Sequence, residues 1–144
     1  MARNIKNKYL EDIGIPRDEH STNFCNDDKD PRQKRWEKQR RKYGFDDRET
    51  WNLDVQFIEW LYSHLMMYKE VTIVDMEKDK LTQVVISENK VIDEISMADA
   101  LDFMLTQFKE YLIGVNKSFA FYEPKPELFE ALHMFADTFQ AWWW

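Results

Sequence analysis

Residues 42–70 read KYGFDDRETWNLDVQFIEWLYSHLMMYKE, and this stretch decides the fold. Asp46 followed three residues later by Glu49 has the form of a capping box, which predicts the start of a helix that runs to about Tyr68. Apolar side chains fall on almost every side of this helix, and such a helix has to be covered by partners. The stretch therefore predicts a mainly α domain built around one long buried helix.

Two apolar stripes run side by side along the predicted helix. One consists of Leu53, Phe57, Trp60, Leu61, Leu65 and Tyr68, and the other of Trp51, Val55, Ile58, Tyr62 and Met66. Two apolar faces imply two packing partners within the domain. They also favour a homodimer, since one small domain has limited surface with which to cover both.

The elements on either side complete a mainly α (α+β) prediction, a compact helical bundle with a small antiparallel β element. After Glu70 the period changes to short β-branched runs, VTIV, LTQVVI and KVIDEI, which predict two or three antiparallel strands leaning on the long helix. Ser96 and Asp99 predict the start of the next helix, which is expected to end at Gly114. A last helix is predicted from Glu127 onward.

Length and composition favour one domain over residues 31–144, preceded by an extended arm over residues 1–30. The chain has 144 residues, of which 44% are hydrophobic and 15% aromatic, enough for one core and too few for two comfortable ones. No apolar run reaches signal-peptide or membrane-spanning length. Cys25 stands alone, which fits a reducing compartment, so a cytoplasmic location is expected.

A basic segment stands out in a chain whose net charge is −7. Pro31 suits the first turn of a helix, Asp30 the cap before it and Gly44 its end, so a short basic helix is predicted between them. Cations interleaved with aromatic side chains suit binding to a single-stranded nucleic acid or to an acidic partner. The alternative is that the cations pair with neighbouring acids or are solvated. The predicted binding residues here are Arg32, Lys34, Arg35, Trp36, Lys38, Arg41 and Lys42.

The sequence ends in FQAWWW, and three tryptophans there require an explanation, because terminal residues are usually poorly ordered. One or two are expected to fold back onto the core beside Trp51 and Trp60. Any that stay exposed would form an apolar surface of the kind found at protein interfaces, where tryptophan is a preferred anchor. Trp143 and Trp144 are therefore predicted as binding residues.

Catalytic, cofactor and metal motifs are missing from the sequence. No glycine-rich phosphate loop and no glycine-framed nucleophile occur, and His64 and His133 fit structural positions better than catalytic ones. His20 and Cys25 lie among several acids, but their spacing matches no zinc or calcium pattern, so the question of a metal there stays open. A non-enzymatic protein without a cofactor or a metal is expected.

Tyr43, Gly44 and Phe45, followed by Trp51, Leu53 and Asp54, form a YGF-x5-W-x-LD opening on the long helix. Together with the C-terminal tryptophan cluster, this opening resembles a family of small proteins encoded by tailed phages of gut bacteria. The resemblance covers about residues 41–70 and 97–144. It implies a phage source and brings no activity with it.

The leading hypothesis is a phage-encoded binding protein that inhibits a host defence factor, such as a nuclease complex, by occupying a functional surface. One alternative is an accessory nucleic-acid-binding or virion protein that uses the basic segment of residues 32–42. Another is a sponge that captures a signalling nucleotide, since Arg and Lys can hold phosphates without a glycine-rich loop. None of the three requires a membrane.

Overall fold

The computed structural model describes residues 7–15, 29–118 and 121–143. Within these ranges the chain forms five α-helices and one β-hairpin. Their order is α1 (Lys8–Asp12), α2 (Gln33–Tyr43), α3 (Leu53–Val71), β1 (Lys80–Ser87), β2 (Lys90–Ser96), α4 (Met97–Ser118) and α5 (Pro126–Asp137). Short 3-10 helices at Asp47–Thr50 and Phe139–Ala141 precede α3 and follow α5. The predicted mainly α fold with a small antiparallel β element is confirmed.

The chain divides into two compact units, Met1–Ser63 and His64–Trp144. The division falls inside α3, which is itself a single unbroken helix. The prediction of one domain over residues 31–144 is not decided by this division and stays a prediction.

Part of the predicted arm is folded within the first unit. Tyr9 and Leu10 on α1 and Ile15 after it are buried. Asn7 ties the segment down, because its Oδ1 accepts from the backbone N–H of Leu10 (3.2 Å) and its Nδ2 donates to Ser63 Oγ (2.9 Å). His20 and Cys25, and the metal question attached to them, lie outside the described residues.

The capping box at Asp46 and Glu49 is confirmed, although it opens the 3-10 helix rather than α3 directly. The chain passes from that short helix through Trp51 and Asn52 into α3. The predicted helix of residues 46–68 is therefore built from two consecutive helical pieces.

The long helix α3 is buried on one face only, so the prediction of an enclosed helix is wrong. Its buried apolar side chains recur at helical spacing and are Ile58, Leu61, Tyr62 and Leu65. On the opposite side of the helix, Leu53, Phe57 and Trp60 are between 47% and 66% exposed. Apolar composition alone does not distinguish a covered face from an exposed one, which is why both were expected to be covered.

In the second unit the hairpin packs against α5 and α4. The strands pair antiparallel with Leu81 opposite Ile95, and the register slips by one residue between Val85 and Ser87. The Val85 backbone N–H donates to Asp137 Oδ2 on α5 (2.8 Å). The first of the three predicted runs, VTIV, is not a strand, because Val71 ends α3 and a loop follows it.

Helix α4 begins as predicted and ends later than predicted. Ser96 Oγ accepts from the Asp99 backbone N–H (3.0 Å), which is the expected cap. The helix then continues through Gly114 to Ser118. The Tyr122 ring lies directly against the Gly114 backbone, where a Cβ atom would overlap it. Gly114 therefore marks a close packing contact and not a helix end.

Candidate binding surface

Helix α2 carries the basic segment, and its end is set by Gly44. This glycine has a left-handed φ of 84°, and its backbone N–H donates to the Arg40 carbonyl oxygen (2.9 Å), as predicted for a C-terminal glycine cap. Arg40, Arg41 and Lys42 in the last turn lie at the negative end of the helix dipole, where cations are favourable. Six of the seven cations of the segment divide into an inner row and an outer row, and the seventh, Lys42, lies beside the Tyr43 ring.

The inner row consists of the cations that pair with acids of the same unit. Arg32 Nη2 lies 2.7 Å from Asp30 Oδ2, Arg35 Nη2 lies 2.9 Å from Asp47 Oδ2, and Arg40 Nη2 lies 2.7 Å from Asp46 Oδ2. The contacts of Arg35 and Arg40 bring the inner side of α2 against the start of the 3-10 helix. The alternative in which basic residues pair with neighbouring acids therefore describes Arg32, Arg35 and Arg40.

Trp36 lies at the centre of the inner side and is wholly buried, with 0% of its surface exposed. Its Nε1–H donates to Asp47 Oδ1 (2.7 Å), and the guanidinium carbons of Arg48 and Arg32 lie 4.1 Å and 5.0 Å from its ring centre. Trp51 packs edge-on against it at 6.3 Å. A ring without exposed surface cannot stack on a ligand, so the prediction of Trp36 as a binding residue is wrong.

The Asp46 carboxylate joins α2 to the 3-10 helix that precedes α3. Oδ2 accepts from Nη2 of Arg40 and of Arg48, and Oδ1 accepts from Arg48 Nε (3.0 Å) and from the Arg48 backbone N–H (3.1 Å). Burial alone raises the pKa of the Asp46 carboxyl, but the hydrogen bonds from Arg48 and the charges of Arg40 and Arg48 outweigh it and leave the pKa below its ordinary value. The carboxylate is therefore held in its charged form.

Arg48 is the residue of this cluster that sequence reasoning missed. It is 1% exposed, and one of its nitrogens, Nη1, has no hydrogen-bond partner among the described residues. A buried arginine is unusual unless it is paired, and here the pair is the carboxylate two positions earlier. The one available signal was an Asp-x-Arg spacing at a predicted helix start, and that spacing is too common to single out a buried pair.

The outer row consists of Lys34, Lys38 and Arg41, which recur at i, i+4 and i+7 and so share one face of α2. All three are exposed, and within residues 7–15, 29–118 and 121–143 no carboxylate pairs with any of them. At 1.5 Å of rise per residue, the row is about 10 Å long. Glu37, also exposed, is the acid on this side of the helix. Lys34, Lys38 and Arg41 are thus accessible, and their role as binding residues stays a prediction.

An aromatic pair stands at the C-terminal end of α2. Tyr43 is 57% exposed and Phe45 49% exposed, and their ring centres lie 6.4 Å apart. The Lys42 ammonium lies 4.9 Å from the centre of the Tyr43 ring. We call Lys34, Lys38, Arg41, Lys42, Tyr43 and Phe45 the α2 surface; it joins cationic and apolar groups on a helix whose other side is fixed by ion pairs.

The C-terminal tryptophans differ in their environments. Trp142 folds back onto Tyr68 with ring centres 5.9 Å apart, and its Nε1–H donates to Thr138 Oγ1 (2.9 Å). The Tyr68 hydroxyl donates to the Trp143 carbonyl oxygen (3.0 Å), which leaves the Trp143 indole 71% exposed. Trp143 is thus accessible, as its predicted role requires, and Trp144 lies outside the described residues.

The two depressed carboxyl pKa values predict a pH dependence of stability. Hydrogen bonds from the Arg32 side chain and backbone, with help from the charge of Arg35, lower the pKa of Asp30 to about 2, and that of Asp46 is also lowered from 3.8. A lowered folded-state pKa contributes stability that is present above the unfolded pKa and is lost as the pH falls through the folded one. We therefore expect the Tm to fall between about pH 4 and pH 2, and to fall less over that range in Asp30→Asn. Equal losses in both proteins, measured by circular dichroism, would contradict this assignment.

Neither a metal-binding group nor a membrane-spanning helix is found in the described part of the chain. No group of three or more His, Cys, Asp or Glu side chains there is arranged to hold a metal ion. None of the helices described has the length and apolarity that crossing a bilayer needs.

Comparison with known proteins returned no match: no family model, no curated protein and no solved structure matches the chain.

Proposed function

We propose that the protein is a non-enzymatic binding protein of phage origin that acts in the cytoplasm of the bacterial host. In this proposal it inhibits a host defence factor by covering a functional, acidic surface of that factor with the α2 surface. The phage origin rests on the resemblance described above. The inhibitory role is an analogy with other small phage proteins that lack catalytic motifs.

One observation carries the proposal: the three cations of the outer row have no acid partner within the described residues, although the chain as a whole is acidic. Unpaired cations at regular spacing on a fixed helix complement an acidic surface without any rearrangement of the helix. Charge complementarity of this kind raises the association rate and selects the partner, and the exposed Tyr43 and Phe45 would supply apolar contact area.

Photo-crosslinking in host cells tests the proposal. A photoreactive amino acid is placed at Lys38, and the crosslinked proteins are identified by mass spectrometry. We expect one dominant protein adduct. An excess of competing wild-type chains should lower its yield at least tenfold, whereas competing chains with Lys34, Lys38 and Arg41 reversed to Glu should leave the yield unchanged. The adduct yield should also fall as salt is raised, because the contact is ionic.

The matched control reverses three exposed lysines of the second unit, Lys80→Glu, Lys109→Glu and Lys117→Glu. This variant has the same net charge as the α2 variant. The control variant should compete as well as the wild type. If it competes as poorly as the α2 variant, net charge rather than the α2 surface governs binding and the proposal fails. Absence of a dominant adduct in several host strains would also count against it.

A second candidate, binding of single-stranded nucleic acid, is favoured by the exposed Tyr43 and Phe45 rings next to the cations. Aromatic rings beside a cationic row can stack bases while the cations contact phosphates. Fluorescence anisotropy with a labelled oligonucleotide would then give a log–log salt slope of about −2 for three neutralised phosphates. A flat response at low salt would remove this candidate without affecting the first.

A further inference from the structure

The exposed face of α3 has a regular apolar spacing. Its members are Leu53, Phe57, Trp60, His64, Met67 and Val71, separated by steps of 4, 3, 4, 3 and 4 residues. The five apolar side chains of this row are between 47% and 66% exposed, and His64 is also exposed. Alternating steps of three and four are the spacing with which one helix packs along another. We call this row the α3 seam.

We propose that the α3 seam is the interface of a homodimer in which two copies of α3 pack antiparallel about a two-fold axis. The inference concerns a different surface from the α2 surface and does not depend on the proposed function. A continuous seam on one helix is complementary to a second copy of itself, because a two-fold axis at its midpoint brings Leu53 opposite Val71 and Phe57 opposite Met67.

The size of the seam fits a dimer. Five large side chains that are each about half exposed offer on the order of 500 Å² of apolar surface, if each presents roughly 200 Å² when fully exposed. A stable interface needs about 800 Å² from each partner, so the seam supplies the larger part of that area. Apolar patches of this size are often functional.

Charge at the rim favours the antiparallel arrangement. With the two-fold axis between Trp60 and His64, Asp54 of one copy lies beside Tyr68 of the other. On the other rim Gln56 lies beside Glu70. No two like charges meet in this arrangement. The opposed dipoles of the two helices add to the preference, whereas a parallel pair would place like helix ends side by side.

Sedimentation of the full chain over a range of concentrations tests the existence of the dimer. We expect a monomer–dimer equilibrium, with a dissociation constant raised about thirtyfold or more by Trp60→Arg, because charging a central aromatic anchor removes a hot spot. Phe129→Arg on α5, where the ring is 53% exposed, is the matched control and should leave the constant unchanged. Phe57→Arg is a second seam variant, and circular dichroism checks that each variant is folded.

Disulfide trapping tests the orientation, in a Cys25→Ser background. An antiparallel seam predicts that a mixture of Leu53→Cys and Val71→Cys chains gives a crosslinked pair. It predicts that Leu53→Cys alone gives none, because its two copies would lie about 27 Å apart at 1.5 Å per residue. Efficient crosslinking of Leu53→Cys alone would indicate a parallel pair and overturn the proposed arrangement. A wild-type protein that stays monomeric at every concentration would overturn the dimer, and the seam would then have to serve a different partner.

Discussion

Replacing Asp46 with asparagine is expected to lower the free energy of unfolding by about 3–5 kcal/mol, the loss typical of removing one partner from a buried ion pair. The substitution leaves the Arg48 guanidinium, which is 1% exposed, without its counter-charge. It also removes the anchor of Arg40 on α2. Since whole proteins are stable by about 5–15 kcal/mol, the loss is large enough to leave a substantial unfolded fraction under mild denaturant.

Urea denaturation followed by circular dichroism measures this effect. The matched control is Asp93→Asn, the same chemical change at an exposed position of β2, which should alter stability by no more than about 0.5 kcal/mol. If Asp46→Asn lowers the free energy of unfolding no more than the control does, the Asp46 carboxylate does not hold α2 and the 3-10 helix together. The double variant Asp46→Asn with Arg48→Met should recover part of the loss, because no buried charge is then left without a partner.

Replacing Trp36 with alanine is expected to destabilise the protein by about 3–5 kcal/mol, as for other fully buried aromatic side chains. The loss combines the cavity left by the indole with the contacts of two guanidiniums and the hydrogen bond to Asp47. Trp36→Phe separates these contributions, because the phenyl ring keeps an apolar face for Arg48 and loses the Nε1–H donor. That variant should cost less than Trp36→Ala and still more than about 1 kcal/mol.

Trp143→Ala is the control for Trp36→Ala. The same atoms are removed there from an indole that is 71% exposed, and the Trp143 backbone carbonyl still accepts from Tyr68. We expect a change within about 0.5 kcal/mol. Similar losses at the two positions would mean that the burial of Trp36 is not what stabilises the first unit.

The local features of the fold could be predicted because each depends on a few neighbouring residues. The capping box at Asp46, the glycine end of α2 and the Ser96 cap of α4 each follow from side-chain chemistry within about three positions. The hairpin likewise follows from β-branched alternation around a short polar turn.

What could not be predicted depends on residues that are distant in the sequence. Periodicity predicted apolar stripes on α3, but one predicted stripe combined Leu61 and Leu65, which are buried, with Leu53, Phe57 and Trp60, which are exposed. Gly114 looked like a helix end, because the ring of Tyr122 that packs against it is not visible in the local pattern. Trp36 looked like a stacking group among cations, because Asp47, the carboxylate that accepts its Nε1–H, lies eleven positions later in the sequence.

The candidate surface shows the same limit. The sequence placed seven cations on one helix, and only the ion pairs to Asp30, Asp46 and Asp47 distinguish those that anchor the helix from those that face solvent. Lys34, Lys38 and Arg41 are exposed and stay predicted binding residues, whereas Arg32 and Arg35 form ion pairs with acids of the same unit.

The difference between the inner row and the outer row of α2 has a consequence for how the sequence can change in evolution. Because Arg40 and the indole beside it hold the helix in place, substitutions in the outer row leave folding almost untouched. Under the proposed function, selection by the target would therefore change these three positions, while the residues that hold the helix in place stay the same. Relatives of this chain would then diverge fastest at positions 34, 38 and 41 and stay nearly constant at positions 36, 46 and 48.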